Sequence, residues 1–189
     1  MSAACPSPQD RDVAAIAARI TRPVVLVGLM GVGKSTVGRK LAMMLGRDFV
    51  DADDAIVEAA QRSIPEIFAT FGEAYFRDGE RRVIARLIDE GHGVIATGGG
   101  AFVDPATRQR VLDRAIAVWI DCDTDTLVER TSRRPTRPLL QQGDPHAILS
   151  RLAAERAPFY AEAPIRVFSE NGPHADTARA IIEAIDQWL

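Results

Sequence analysis

Lys34 and Lys40 are the only lysines in a chain whose other bases are all arginine. Lys34 sits in Gly28-Leu-Met-Gly31-Val-Gly33-Lys34-Ser35, which matches G-x-x-x-x-G-K-[ST]. The segment follows PVVLVG, an apolar β-branched run, and opens STVGRKLAMML, an amphipathic one. Glycines in such a loop let successive backbone N–H groups face β- and γ-phosphates, and the following helix N-terminus adds positive potential. Lys34 supplies a compact charge to those oxygens, and the Ser35 hydroxyl suits Mg²⁺. The plain alternative is a glycine-rich turn with no ligand. At average residue frequencies the pattern arises by chance in under about one chain in a hundred of this length. Nucleoside triphosphate binding is therefore expected; the loop alone does not specify what is done with the triphosphate.

Further residues could serve a second substrate. Phe49-Val-Asp51-Ala-Asp53 closes a short apolar run. Asp51, at its carboxyl end, is placed to reach the Mg²⁺ shell through water, and Asp53 to accept a hydrogen bond from an acceptor hydroxyl. By itself Asp53 reads more readily as the N-cap of the helix DAIVEAAQ. Arg77 and Glu80 in FRDGE are helical neighbours, either a surface ion pair or a guanidinium held toward a substrate carboxylate. Gly98-Gly99-Gly100 follows GVIAT. A tight turn needs one or two glycines, and three at a strand end favour close approach of a ligand to backbone. Most of the many arginines carry no signal, and Arg81, Arg82, Arg108 and Arg110 read as solvated helix faces. His92, His146 and His174 have no ligand spacing and read as surface, Trp119 as core.

The elements that must position these residues alternate. Runs at Val24–Gly28, Asp48–Asp51, Gly93–Thr97, Ile116–Asp121 and Ile165–Phe168 read as buried strands. Amphipathic stretches at Lys34–Leu45, Asp53–Ala60, Gly72–Asp89, Pro105–Leu112, Thr124–Ser132, Ala147–Arg156 and Ala175–Trp188 read as helices. That order predicts a three-layer α/β/α sandwich on a parallel sheet, with ligands at the carboxyl ends of the strands. Two or three helices over roughly 53–90 and a proline-rich flap over about 132–145 interrupt the alternation and suit walls for a second substrate. Residues 1–22 read as a polar tail in which Val13, Ile16, Ala17 and Ile20 allow a short docking helix; 23–189 reads as one domain.

Composition is that of an ordinary globular chain, with 47% hydrophobic and 26% charged residues in 189 and a net charge of −3. This charge gives no reason to expect nucleic acid or an anionic membrane as partner. There is no apolar run of bilayer length, and the start MSAACPSPQDRD lacks the pattern of a signal peptide. Two cysteines, Cys5 and Cys122, fit a reducing cytoplasm.

Taken together, GLMGVGKSTVGRKLA, FVDAD, IPEIFATFGEAYFRDGE, VIATGGG, RPTRPLL and ERAPFY, in this order, resemble the shikimate kinase family over about residues 23–170. The resemblance implies a nucleoside-monophosphate-kinase-like fold with five parallel strands in the order 2-3-1-4-5. It implies phosphorylation of the 3-hydroxyl of shikimate by ATP with Mg²⁺, in a cytoplasmic monomer. By motif position Lys34, Asp53 and Arg137 are the catalytic residues, and Gly31, Val32, Gly33, Lys34, Ser35, Thr36, Arg130 and Arg137 bind ATP. Asp53, Arg77, Gly98, Gly99, Gly100 and Arg156 take shikimate, Glu80 supports Arg77, and Ser35 and Asp51 serve the metal. Arg130 is expected to stack on adenine and Arg137 to reach the phosphates. Two rivals are a sugar-acid kinase, acting for example on gluconate, and a nucleotide-binding regulatory module. The first gives no reason to pair FVDAD with FRDGE and three glycines; the second is at odds with the intact Lys34, Ser35, Asp51, Asp53, Arg77 and Arg137.

Overall fold

Val24–Val27 forms strand β1, and every residue of it is buried, as a β-branched run between two helical layers must be. The structure is a computed structural model that describes residues 8–132 and 143–189. Beside β1 lie β3 (Val94–Ala96) and β4 (Ile116–Asp121); β2 (Phe49–Asp51) and β5 (Ile165–Phe168) form the edges. All pairings are parallel and the order is 2-3-1-4-5, as expected. β5, read as a fully buried strand, instead alternates buried and exposed residues because it is an edge strand with one open face.

The helices follow from this order. β1 continues into α2 (Lys34–Leu45) and returns to β2, on one side of β1. β3 continues through α5 (Pro105–Arg114) to β4, on the other. Right-handed crossovers running in opposite directions put their helices on opposite faces. α8 (His174–Trp188) packs on α2, while α4 (Ile64–Asp89) packs on α5, and α6 (Thr124–Ser132) on α7 (Pro145–Tyr160). Because the chain leaves β1 and β4 in different directions, a crevice opens at the carboxyl end of β1.

α3 (Ala52–Ala60) follows β2 without a loop, and α4 begins at a capping box in which Ser63 and Glu66 satisfy each other's backbone N–H. α4 is two helices merged across Gly72, whose φ of 81° breaks the ladder, so the inserted region holds three helical pieces. Pro145, read as part of the flap, is instead the first residue of α7, capped by Asp144. The remainder of that flap, 133–142, lies outside the described residues. α1 (Pro8–Arg19) is the docking helix expected near the start: Val13, Ile16 and Ala17 rest on the core, and Ile20 beyond it is buried. Arg47 donates to the carbonyls of Ala17 and Ile20. Among the described residues, no helix is long and apolar enough to cross a membrane.

Candidate active site

The loop between β1 and α2 wraps by means of positive φ at Gly28, Gly31 and Gly33. Crowding adds to the demand for glycine, since a Cβ at Gly31 would stand 2.7 Å from Thr131 Cγ2. Lys34 is the first residue of α2, and its side chain is buried beneath the loop. Its Nζ donates to the carbonyls of Gly28 at 2.6 Å and Leu29 at 2.8 Å, which folds the ammonium back against the loop. Thr36 follows Ser35 on the exposed side of the helix.

Ser35 reaches across to β2, where its hydroxyl donates to Asp51 Oδ2 at 2.5 Å. A hydroxyl and a carboxylate side by side at the phosphate end of the cradle are hard oxygen donors of the kind Mg²⁺ accepts. Mg²⁺ typically takes only one or two protein ligands beside phosphates and water. No larger group of acidic, histidine or cysteine ligands occurs among the described residues. Ser35 and Asp51 therefore fit that ion.

Asp51 also caps α3, accepting from the Asp53 backbone N–H at 3.0 Å. The capping role weighed for Asp53 thus belongs to Asp51, because the helix starts at the last strand residue. Asp53, one residue inside α3, turns its carboxylate toward the glycine run instead. A Cβ at Gly98 would lie 3.1 Å from Asp53 Oδ1 and 2.8 Å from Glu80 Oε1. One at Gly99 would lie 3.1 Å from the Met30 backbone nitrogen and 3.6 Å from Arg156 Nη1. One at Gly100 would lie 2.8 Å from both terminal nitrogens of Arg77. None of the three has a positive φ. They are glycine because side chains and backbone from four different elements close on them. In this way the run draws Asp53, Glu80, Arg77, Arg156 and the phosphate loop into one cluster.

Charge in the cluster is layered. Glu80 is buried and holds Arg77 Nη1 at 2.7 Å. Burial pushes the Glu80 carboxyl up, the Arg77 charge pulls it down, and Asp53 and Asp104 add like charge that pushes it further up. The guanidinium of Arg77 lies 5.2 Å from the Phe76 ring centroid, and Phe76 packs in turn on Phe68 at 4.6 Å. A planar cation backed by a buried anion and an aromatic wall, beside a second arginine, can receive a carboxylate as a fork.

The shikimate kinase family model matches residues 30–186. A shikimate kinase of Novosphingobium aromaticivorans is 61% identical over 182 residues, covering 94% of each chain. The chain belongs to the shikimate kinase family. A solved shikimate kinase from Acinetobacter baumannii, in complex with shikimate, superposes with a TM-score of 0.85 at 38% identity, covering 91% of this chain and 97% of that one. A gluconokinase from Sinorhizobium meliloti shares the fold alone, with a TM-score of 0.58 at 15% identity over 89% of this chain and 94% of that one.

Of the site residues expected from resemblance to shikimate kinases, the structure brings Lys34, Ser35, Asp51, Asp53, Arg77, Gly98, Gly99, Gly100 and Arg156 together around the phosphate loop. Arg137 falls outside the described residues. Arg130, on α6, donates to the carbonyls of Val32 at 3.3 Å and Glu170 at 2.6 Å and to the Ser169 hydroxyl at 3.2 Å. It thereby sews the phosphate loop to the segment between β5 and α8. His174, read as a surface residue, is half-buried there; its Cε1 would lie 3.3 Å from a Cβ on Gly33. Burial lowers its pKa, and the neighbouring Arg130 lowers it further. Arg108 is likewise no solvated face: it donates to Phe102 and Val103 carbonyls and pairs with Glu162 at 3.0 Å.

Sequence reasoning passes over Tyr160, whose hydroxyl donates to the Gly99 carbonyl, the same oxygen that Arg156 Nη1 meets at 2.9 Å. The readable signal was its place four residues after Arg156, on the same helical face.

Proposed function

We propose that this chain transfers the γ-phosphoryl group of ATP to the 3-hydroxyl of shikimate, giving shikimate 3-phosphate and ADP, a step toward chorismate and the aromatic amino acids. The observation that carries the reading is the glycine run, where one face meets an aspartate, the middle meets the phosphate loop and the other face meets Arg77. An acceptor lying on Gly98–Gly100 has a carboxylate-binding guanidinium at one end and a proton acceptor at the other. Shikimate, a carboxylate with three hydroxyls, has that polarity.

In this reading Gly31, Val32, Gly33, Lys34, Ser35 and Thr36 hold the phosphates, with Arg130 beside the adenine and Arg137 reaching the transferred group. Lys34 exchanges its carbonyl partners for phosphate oxygens. Arg77 and Arg156 take the acceptor carboxylate, and Asp53 accepts the proton of the attacking hydroxyl. Ser35, and Asp51 through water, would hold Mg²⁺, which would supply neutralising positive charge to the phosphates. Phosphoryl transfer asks for alignment and charge neutralisation more than covalent help, and these residues supply both. We also read the protein as a cytoplasmic monomer with residues 23–189 as one domain, in keeping with its cysteine usage and the docking of α1.

ADP release measured with shikimate, quinate and gluconate tests the assignment. Turnover with shikimate at least about a hundredfold above the other two in kcat/KM is expected, about 2.7 kcal/mol of discrimination. Preference for gluconate, or turnover with none of the three, would remove it.

A further inference from the structure

Arg156 and Tyr160 project from one face of the last turns of α7 and end on one atom, the Gly99 carbonyl oxygen. A carbonyl oxygen has two lone pairs, and two donors occupy them here. The Tyr160 ring is buried, with Trp119 at 5.9 Å between centroids. Elsewhere it borders a cavity of about 260 Å³ lined also by Leu29, Val32 and Ala157. Packing therefore leaves the ring some room on that side, and the hydroxyl bond supplies the missing restraint. Burial raises the phenol pKa, and Arg156 lowers it less, so the hydroxyl remains a donor at neutral pH.

Gly99 is where this matters most, because its backbone abuts the Met30 nitrogen of the phosphate loop and the Arg156 guanidinium together. A guanidinium that both satisfies a carbonyl and binds a carboxylate is pulled two ways. If Arg156 were the only donor to that carbonyl, turning toward a carboxylate would leave a partly buried acceptor unsatisfied.

We propose that Tyr160 is a positioning residue: it holds the Gly99 peptide so that Arg156 can swing its guanidinium onto the acceptor carboxylate. This rests on the reading of Arg156 as an acceptor ligand. It assigns to Tyr160 an effect on acceptor binding that packing alone would not produce.

Tyr160→Phe keeps the ring against Trp119 and removes only the hydroxyl. Steady-state kinetics should show the shikimate KM raised about tenfold, with kcat and the ATP KM within about twofold of wild type. An unchanged shikimate KM, or equal rises in both KM values, would overturn the proposal; the latter would mark general loosening. Wild-type turnover with shikimate, measured alongside, tests the functional reading separately. A crystal structure of unliganded Tyr160→Phe gives a readout that needs no acceptor. A rotated Gly99 peptide or a displaced Arg156 supports the positioning role, whereas superposable geometry at both residues counts against it.

Discussion

Arg77 and Glu80 meet at 2.7 Å from opposite sides of a solvent boundary: the glutamate side chain is 3% exposed and the arginine 32%. The buried anion is the fixed partner and the cation the presented one. Arg77 also has Glu73, but at 3.4 Å and well exposed, which is a weak substitute. Glu80→Gln should therefore lower kcat/KM for shikimate roughly tenfold while ATP affinity stays put. The same variant has a pH signature. Burial holds the Glu80 carboxyl above its ordinary 4.5, so the folded chain keeps this proton longer than the unfolded one. The stability linked to this group is full below pH 4.5 and declines as pH rises through the raised value. Glutamine does not titrate, so urea melts across that window should show a shallower decline in the variant; an unaltered pH slope would mean Glu80 titrates normally.

Arg77→Lys keeps the charge and loses the fork. At a partly buried carboxylate site this should cost about 2–3 kcal/mol, or roughly a 30–150-fold fall in kcat/KM for shikimate. Nucleotide titration of the variant should match wild type, because Arg77 meets Gly100 at the end of the glycine run, whereas the phosphate loop meets Gly99. If Arg77 were only a surface partner of Glu73, kinetics would stay level and stability would move by a few tenths of a kcal/mol.

Gly98→Ala tests the cluster from its backbone. The new methyl would stand 2.8 Å from Glu80 Oε1, and Glu80 is buried with little room to retreat. Displacing that carboxylate and Asp53 together should reduce kcat/KM for shikimate by about a hundredfold or more. Gly79→Ala is the matched control: a Cβ there meets nothing within 4 Å, and alanine in a helix should add about 0.5–1 kcal/mol. Equal activity losses in the two variants would argue that the glycine run is not part of the site.

Lys34→Ala should abolish measurable turnover. It also removes two buried hydrogen bonds, so a thermal melt should show a loss on the order of 1–3 kcal/mol with the fold kept. Circular dichroism with a coupled ADP assay separates the two effects, and activity within a few-fold of wild type would exclude the lysine from phosphate binding.

Much of this was readable because local chemistry and tertiary structure agree. Lys34–Leu45 was placed to the residue, since glycines punctuate its start and Gly46 its end. The third helix allowed over 53–90 received no bounds, although Ser63-Ile-Pro-Glu66 spells a capping box, because Gly72 interrupts the helical period that a pattern search follows. The helix cap fell to Asp51 rather than Asp53 because β2 abuts α3 with no residue between, which period and propensity do not reveal. Tyr160 meets Gly99 across 61 residues of sequence and His174 meets Gly33 across a greater span; such pairings exist only once the sheet is ordered.

The two ends of α8 lie in different worlds. Its first residue, His174, sits at the phosphate loop, and 14 residues later Trp188 lies beside Arg22, where the chain enters β1. At about 1.5 Å per residue the helix carries Leu189 roughly 20 Å from the crevice. A surface linkage, fluorophore or fusion partner attached at Leu189 would therefore stand at the opposite end of the sheet from both substrates. The enzyme could be immobilised by that residue with its mouth facing solution.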